Sequence, residues 1–219
     1  MNDSVTAPCP LCHSKACQFF DEDKFRKYFR CLTCSLVFVP RESILSITAE
    51  AERYEHHRND ENDINYRAYL SEIFHAIQPF IKKEQIGLDF GCGKTMLLAK
   101  IAAESGVIMD SYDLYFRPEE KIWEKKYDFV VMSEVIEHLS GPRDIMLRLK
   151  DLLLPKGQIF IKTKFYMPDQ SAFKNWFYKR DLTHVQFFDL ASMSRLSQLM
   201  DMEGPYELAS DLYQLKITK

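Results

Sequence analysis

The stretch Asp89-Phe90-Gly91-Cys92-Gly93-Lys94-Thr95 has the make-up of a ligand loop, with a carboxylate followed by two glycines in alternate positions. An apolar run (Ile86, Leu88, Phe90) leads into it, and an amphipathic stretch, Met96 to Ala103, follows. Strand, glycine turn and helix in that order bring a ligand against backbone N–H groups and a helix N-terminus. Phosphate fits poorly. A phosphate loop ending in Gly93-Lys94-Thr95 needs glycine at position 88, which is leucine, and a dinucleotide loop needs glycine at position 96, which is methionine. A carboxylate in the loop would also repel a triphosphate, whereas it suits a ligand that carries positive charge. Asp113 lies 22 residues after Gly91, at the end of the next apolar run. An acidic residue about 20 positions past such a loop suits the two ribose hydroxyls of a nucleoside.

Two further groups of residues can do chemistry. Cys9-Pro-Leu-Cys12 and Cys31-Leu-Thr-Cys34 are paired Cys-x-x-Cys knuckles with 18 residues between them. That spacing is that of a four-cysteine zinc ribbon, in which each turn presents two thiolates to one tetrahedral ion. With all four positions taken by thiolates, the ion is structural, and His13 and Cys17 fall outside the set. His138 and His184 are the candidate general bases, since imidazole titrates near neutral pH. His184 sits in the aromatic and charged stretch Trp176 to Phe188, which shows neither strand nor helix periodicity. Tyr178 and Arg180 in that stretch are candidate acceptor contacts. The adjacent His56 and His57 point about 100° apart on a helix and do not make a metal pair.

The elements that position these residues alternate. Gln18 to Phe20 and Lys27 to Arg30 read as a hairpin, and Leu36 to Val39 as a strand. Residues 41–63 form a charged connector, and Ile64 to Lys83 a helix with an apolar stripe. Strands are expected at Ile86–Phe90, Val107–Tyr112, Tyr127–Ser133 and Gln158–Lys164. Helices are expected at Met96–Ser105, Pro118–Lys126, Pro142–Leu154 and Leu190–Met202. A hairpin, Tyr206–Ala209 with Gln214–Thr218, closes the chain. Alternating strands and helices predict an α/β fold with a doubly wound, mostly parallel sheet. The expected divisions are a ribbon over 1–40, a connector over 41–63 and the α/β domain over 64–219.

Taken together, Asp89 to Gly93, Asp113, Tyr127-Asp128, Glu134-Val-Ile-Glu-His-Leu139 and Leu153-Leu-Pro-Lys-Gly157 resemble the motifs of class I S-adenosylmethionine (SAM) methyltransferases. The likeness looks closest to the broad methyltransferase-domain group that includes ubiquinone-type O-methyltransferases and sugar C-methyltransferases. The resemblance implies a Rossmann-like domain in which Asp89, Phe90, Gly91, Cys92 and Gly93 hold the amino-acid end of SAM. By the same resemblance Asp113 takes the ribose, and Ser133 and Glu134 line the cofactor beside the acceptor. N-terminal segments cover the cofactor in such folds, which makes Tyr54, His57, Asn59 and Tyr66 candidates for a lid or acceptor contacts. Some relatives hold a divalent ion with the substrate, a role open to Glu137 and His138. Two departures stand out. Thr95 replaces a third glycine, and Asp113 and Asp128 are only 15 residues apart. That interval is too short for a helix, a third strand and an acidic adenine loop. The third strand is therefore expected to be missing or short, with Leu114 or Tyr115 packing on the base and no carboxylate from 116–128 reaching it.

Composition narrows the partners. A net charge of −3 gives no general attraction to nucleic acid or to an anionic membrane. No apolar run approaches the roughly 18 residues of a membrane span, and the first residues lack the pattern of a signal peptide. A cytoplasmic location is expected, where clustered cysteines point to metal rather than disulfides. The leading expectation is a SAM-dependent methyltransferase acting on an oxygen, carbon or nitrogen of a small molecule. An RNA or protein methyltransferase is the second expectation, with the ribbon face Lys24, Phe25, Arg26, Lys27, Tyr28, Phe29 and Arg30 gripping the macromolecule. A non-catalytic SAM-binding module is the third.

Overall fold

The computed structural model describes residues 7–55 and 60–218. Its N-terminal part is a small antiparallel sheet made of β1 (Cys17–Glu22), β2 (Lys27–Cys31) and β3 (Val37–Phe38). Two helices follow, α1 (Ile47–Glu55) and α2 (Ile64–Ile77). Asp63 caps α2, accepting from the backbone N–H groups of Asn65 at 2.8 Å and Tyr66 at 3.3 Å. The expected helix reaches Lys83, but the observed one stops at Ile77 and is followed by a 3-10 turn, Gln78–Phe80. Pro79 lies in that turn and has no N–H with which to continue the helix.

The α/β run contains β4 (Ile86–Phe90), α3 (Leu97–Glu104), β5 (Ile108–Tyr112), β6 (Tyr127–Ser133), α4 (Pro142–Asp151) and β7 (Leu153–Lys162). Next come α5 (Gln170–Asn175), β8 (Gln186–Phe187), α6 (Leu190–Leu199), β9 (Glu203–Ala209) and β10 (Leu212–Lys216). The central sheet has the order β5-β4-β6-β7-β10-β9. Strands β5, β4, β6 and β7 are parallel, and the closing hairpin adds two antiparallel strands. No strand lies outside β5 among the described residues, so β5 forms the sheet edge as the short interval after Asp113 predicts. Between Asp113 and Tyr127 the chain makes only a tight turn and a 3-10 helix, Glu120–Glu124.

Burial on both faces explains the near-continuous apolar run of β6. Val130 and Met132 face Leu88, Phe90, Ile159 and Ile161, a layer packed by Met146 and Leu149 of α4 and Met193 and Leu196 of α6. Phe129 and Val131 face the opposite way, with Phe160, against Leu70, Phe74 and Ile77 of α2 and Leu97 and Ile101 of α3. The expected boundary between α4 and β7 is wrong by several residues. Leu153 already pairs with Tyr127, whereas Phe129 pairs with Gln158, so the Pro155-Lys156-Gly157 turn is a bulge inside the strand.

Two features tie the N-terminal sheet to the rest. Its fourth strand is β8, with Val37 opposite Phe187 and Phe38 opposite Gln186. The aromatic stretch expected as an irregular loop thus contains a strand that completes the ribbon. Cys9, Leu11, Phe29, Leu36 and Phe38 also share one buried cluster with Phe188, Met193 and the face of the central sheet. No helix among the described residues is long and apolar enough to cross a membrane.

Candidate functional site

The glycine loop is fixed from two sides. The N–H groups of Gly91 and Cys92 both donate to the Tyr112 carbonyl, at 2.7 and 3.0 Å, pinning the loop to the end of β5. Asp113 closes it further. Its Oδ2 accepts from Gly93 N at 3.0 Å, and its Oδ1 from the N–H groups of Tyr115 and Phe116 at 2.9 and 3.1 Å. Oδ1 is filled by two donors, while Oδ2 keeps a lone pair for a ligand hydroxyl. Gly91 has φ +84°, and a Cβ there would lie 2.3 Å from Val135 Cγ2, so both conformation and space demand glycine.

Asp89 is 3% exposed, and its Oδ2 has no hydrogen-bond partner. Burial, with Asp113 nearby, pushes its carboxyl up to about 7. A buried carboxylate oxygen left unpaired is costly, and a positively charged donor entering the cavity would relieve that cost.

The cavity beside the loop has a volume of about 860 Å³. Among its lining residues are five carboxylates, Glu50, Asp89, Asp113, Glu120 and Glu134, against one guanidinium, Arg148, and two imidazoles, His138 and His184. Leu114, Tyr115, Phe116 and Trp123 contribute apolar and aromatic walls. Glu120 shows that the segment after Asp113 does bring a carboxylate to this cavity. Arg148 stacks 3.5 Å over the Trp123 ring.

Beyond the end of β6 lies a hydrogen-bonded cluster. Glu134 adopts φ +53°, a conformation unusual for a residue with a side chain. Its Oε1 accepts from the Tyr69 hydroxyl at 3.0 Å and its Oε2 from the Tyr178 hydroxyl at 2.7 Å. Tyr178 also contacts Glu137 Oε1, and Thr163 donates to Glu137 Oε2 at 3.0 Å. One phenol hydrogen cannot serve two carboxylates. Glu137 is fully buried, and burial together with the Glu134 charge holds its carboxyl well above the usual range. The consistent hydrogen count has Glu137 protonated and donating to Tyr178, which donates to Glu134.

The two histidines stand against this cluster, with ring centroids 4.6 Å apart. His184 Nδ1 lies 2.7 Å from the Tyr178 carbonyl, and His138 Nδ1 lies 3.2 Å from the Thr183 carbonyl. A carbonyl only accepts, so each Nδ1 carries a hydrogen, and in a neutral His184 that leaves the lone pair on Nε2. His184 is 8% exposed, and burial lowers its pKa, keeping it neutral near pH 7. Glu137, His138 and His184 bring ligand atoms within 4.8 Å of one another, although hydroxyls already occupy both oxygens of Glu137.

The structure gathers most of the sequence-predicted residues around this one cavity. Tyr54, Tyr66, Asp89, Phe90, Gly91, Cys92, Gly93, Asp113, Leu114, Ser133, Glu134, His138 and His184 all line it. Tyr178 sits behind the surface, with its hydroxyl bonded to Glu134 and its carbonyl to His184. Arg180, expected as an acceptor contact, is exposed and lies outside the lining. His57 and Asn59 fall outside the described residues. Sequence reasoning missed Tyr69, Glu120, Trp123 and Arg148. The signal for Tyr69 was available, since it follows Tyr66 by three residues on one helix face.

The four knuckle cysteines have sulfurs within 4.8 Å of one another. Cys9 and Cys34 are 3.6 Å apart and Cys12 and Cys31 are 3.5 Å apart, close to the roughly 3.8 Å edge of a tetrahedron with 2.3 Å metal–sulfur bonds. All four are free thiols rather than disulfides. The donor set and spacing fit a structural zinc. Of the basic-aromatic ribbon face expected as an RNA grip, Arg26, Tyr28 and Phe29 are buried inside the molecule, which leaves Lys24, Phe25 and Lys27 exposed and Arg30 half-buried.

Residues 54–203 match a family model described as a methyltransferase domain, and the chain belongs to that family. A curated relative, ubiquinone biosynthesis O-methyltransferase of Erwinia tasmaniensis, is 30% identical over 77 residues. That match covers 35% of this chain and 32% of the relative, so the chain spans about a third of the relative's length. Among solved structures, 1,6-didemethyltoxoflavin-N1-methyltransferase of Burkholderia thailandensis, with 1,6-didemethyltoxoflavin and S-adenosylhomocysteine bound, superposes with a TM-score of 0.55. The identity is 14%, over 86% of this chain and 98% of that one. Magnesium protoporphyrin IX methyltransferase of Synechocystis PCC 6803, with S-adenosylhomocysteine bound, gives a TM-score of 0.53 at 10% identity, over 81% and 98% of the two chains. The chain has the mixed α/β methyltransferase fold with a mostly parallel central sheet.

Proposed function

We propose that the protein transfers a methyl group from SAM to a small-molecule acceptor. The observation that carries this is the unpaired, buried Oδ2 of Asp89 beside the glycine loop, in a cavity whose lining carboxylates outnumber its guanidinium five to one. SAM brings a sulfonium and an α-ammonium and no phosphate, which matches that field. Asp89 and the loop would hold the amino-acid end, Asp113 Oδ2 a ribose hydroxyl, and Leu114, Tyr115 and Trp123 the base. The same acidic lining disfavours a phosphate-rich acceptor such as RNA. The bound S-adenosylhomocysteine in the two neighbours agrees with this assignment.

SAM supplies the electrophilic methyl. The chain's own contribution is to align the acceptor and take its proton. His184, neutral and with its Nε2 lone pair fixed by the Tyr178 carbonyl, would accept that proton, with His138 beside it. Zinc at Cys9, Cys12, Cys31 and Cys34 would close the ribbon. Calorimetric titration with SAM is the first test, followed by transfer of labelled methyl into the small-molecule fraction of an extract. Absence of binding at millimolar SAM refutes the proposal. His184→Ala should lower turnover by about 10²–10⁴-fold with SAM affinity unchanged; an unaltered rate would remove it from the site.

A further inference from the structure

One buried arginine of the ribbon holds the segment that carries His184. Arg26 lies on the turn between β1 and β2 and is 5% exposed. Its Nη1 donates to the Leu182 carbonyl at 2.8 Å, and its Nη2 to the carbonyls of Lys179 at 3.0 Å and Asp181 at 2.9 Å. Its Nε donates to the Tyr28 hydroxyl at 3.0 Å. Three carbonyls from four consecutive residues therefore converge on one guanidinium, 153 or more positions away in sequence. Only the planar fork of arginine offers donors in that arrangement, and a lysine ammonium would leave some of these buried acceptors unpaired.

Two other contacts hold the same segment. Lys179 forms a buried ion pair with Asp21 of β1. Val185 bridges the two parts of the molecule through its backbone. Its carbonyl accepts from Val39 N on the ribbon side at 2.9 Å, and its N–H donates to the Glu137 carbonyl on the cavity side at 2.9 Å. Between the arginine-bound carbonyls and Val185 lie only Thr183 and His184, and both line the cavity. The Tyr178 carbonyl that sets the His184 tautomer is one residue from the first carbonyl that Arg26 binds.

We propose that Arg26 is a positioning residue for His184, fixing the 179–182 carbonyls so that the imidazole keeps one orientation and one tautomer at the acceptor wall. The ribbon is then part of the acceptor site. This rests on the assignment of the cavity's acceptor end to His184 but is read independently of turnover.

The test uses the full chain and its Arg26→Gln and Arg26→Lys variants, with imidazole ¹⁵N NMR as the readout and His184→Asn to assign the signal. In the unsubstituted protein His184 should show a single Nδ1–H tautomer with slow exchange of that proton. In Arg26→Gln the second tautomer should appear and exchange should quicken by about tenfold or more. Arg26→Lys should fall between the two. SAM affinity, measured in parallel, should change by less than about twofold, because the glycine loop is fixed separately by Tyr112 and Asp113. Unchanged His184 signals in a destabilised Arg26→Gln protein would overturn the proposal. Loss of fold in both variants would also overturn it, since Arg26 would then be a general stability residue. Failure of the unsubstituted protein to bind SAM would refute the proposed function while leaving the imidazole result to stand or fall on its own.

Discussion

Replacing Asp89 by asparagine should have opposite effects on the empty and the loaded protein. The carboxyl moves from an ordinary 3.8 to about 7 because it is buried next to Asp113. An acid whose folded pKa is raised contributes stability that is full below the unfolded value and lost as pH rises through the folded one. Here the window runs from about pH 4 to pH 7. A shift of about three units corresponds to roughly 4 kcal/mol lost once the group is ionised. The neutral amide of the variant escapes that loss, so its melting temperature at pH 8 should equal or exceed that of the unsubstituted protein. With SAM the order reverses. The cation favours ionised Asp89, so SAM affinity should rise by up to about tenfold per pH unit as pH approaches about 7 from below and then level off. Asp89→Asn should lose a charge-assisted bond of about 1.5–3 kcal/mol, roughly 10- to 150-fold in affinity, together with that pH slope. Scanning calorimetry of the empty protein and titration calorimetry across pH measure both effects. An Asp89→Asn protein that binds SAM with normal affinity and an unchanged slope would refute the electrostatic account.

Gly91→Ala should cost about 2–5 kcal/mol from its positive φ and its clash with Val135. Adding Val135→Ala should return part of that in thermal melts, and strictly additive losses would show that the clash is not the cause. The protein should bind about one zinc per chain by metal analysis. Cys31→Ser should bind none and should lose amide protection at Val185 and Phe187 as well as in the ribbon; loss confined to the ribbon would disprove the coupling through β8.

The glycine loop was legible because its rules are rules of spacing. Leu88 and Met96 occupy the positions where two competing motifs need glycine, and Asp113 falls at the distance a ribose partner requires. The edge position of β5 was legible for a similar reason, since residues 114–126 are too few for another strand and its crossover. The acceptor side was not, because its order comes from distant partners. Nothing local marks Gln186-Phe187 as a strand, for its partner Val37-Phe38 lies 148 or more positions earlier. Lys179 and Arg180 look alike in sequence, and only the buried Asp21 decides that Lys179 turns inward while Arg180 stays in solvent. Backbone carbonyls that bind Arg26 leave no residue-type signature at all. The end of α4 was misplaced because Leu153 suits helix and strand equally, and its pairing with Tyr127 decides between them.

The pairing of β3 with β8 also has a consequence on the ribosome. Val37 emerges about 150 residues before its partner Phe187. At 5–20 residues per second that is a wait of roughly 8–30 s. During that interval the ribbon has β1, β2 and its four thiols but lacks its fourth strand, and Arg26 has no carbonyls to bind. A metal held by the thiols would keep the nascent hairpin in shape until the last third of the chain arrives. The order of synthesis then makes the ribbon the template on which the His184 segment folds, and the acceptor wall among the last parts of the molecule to form.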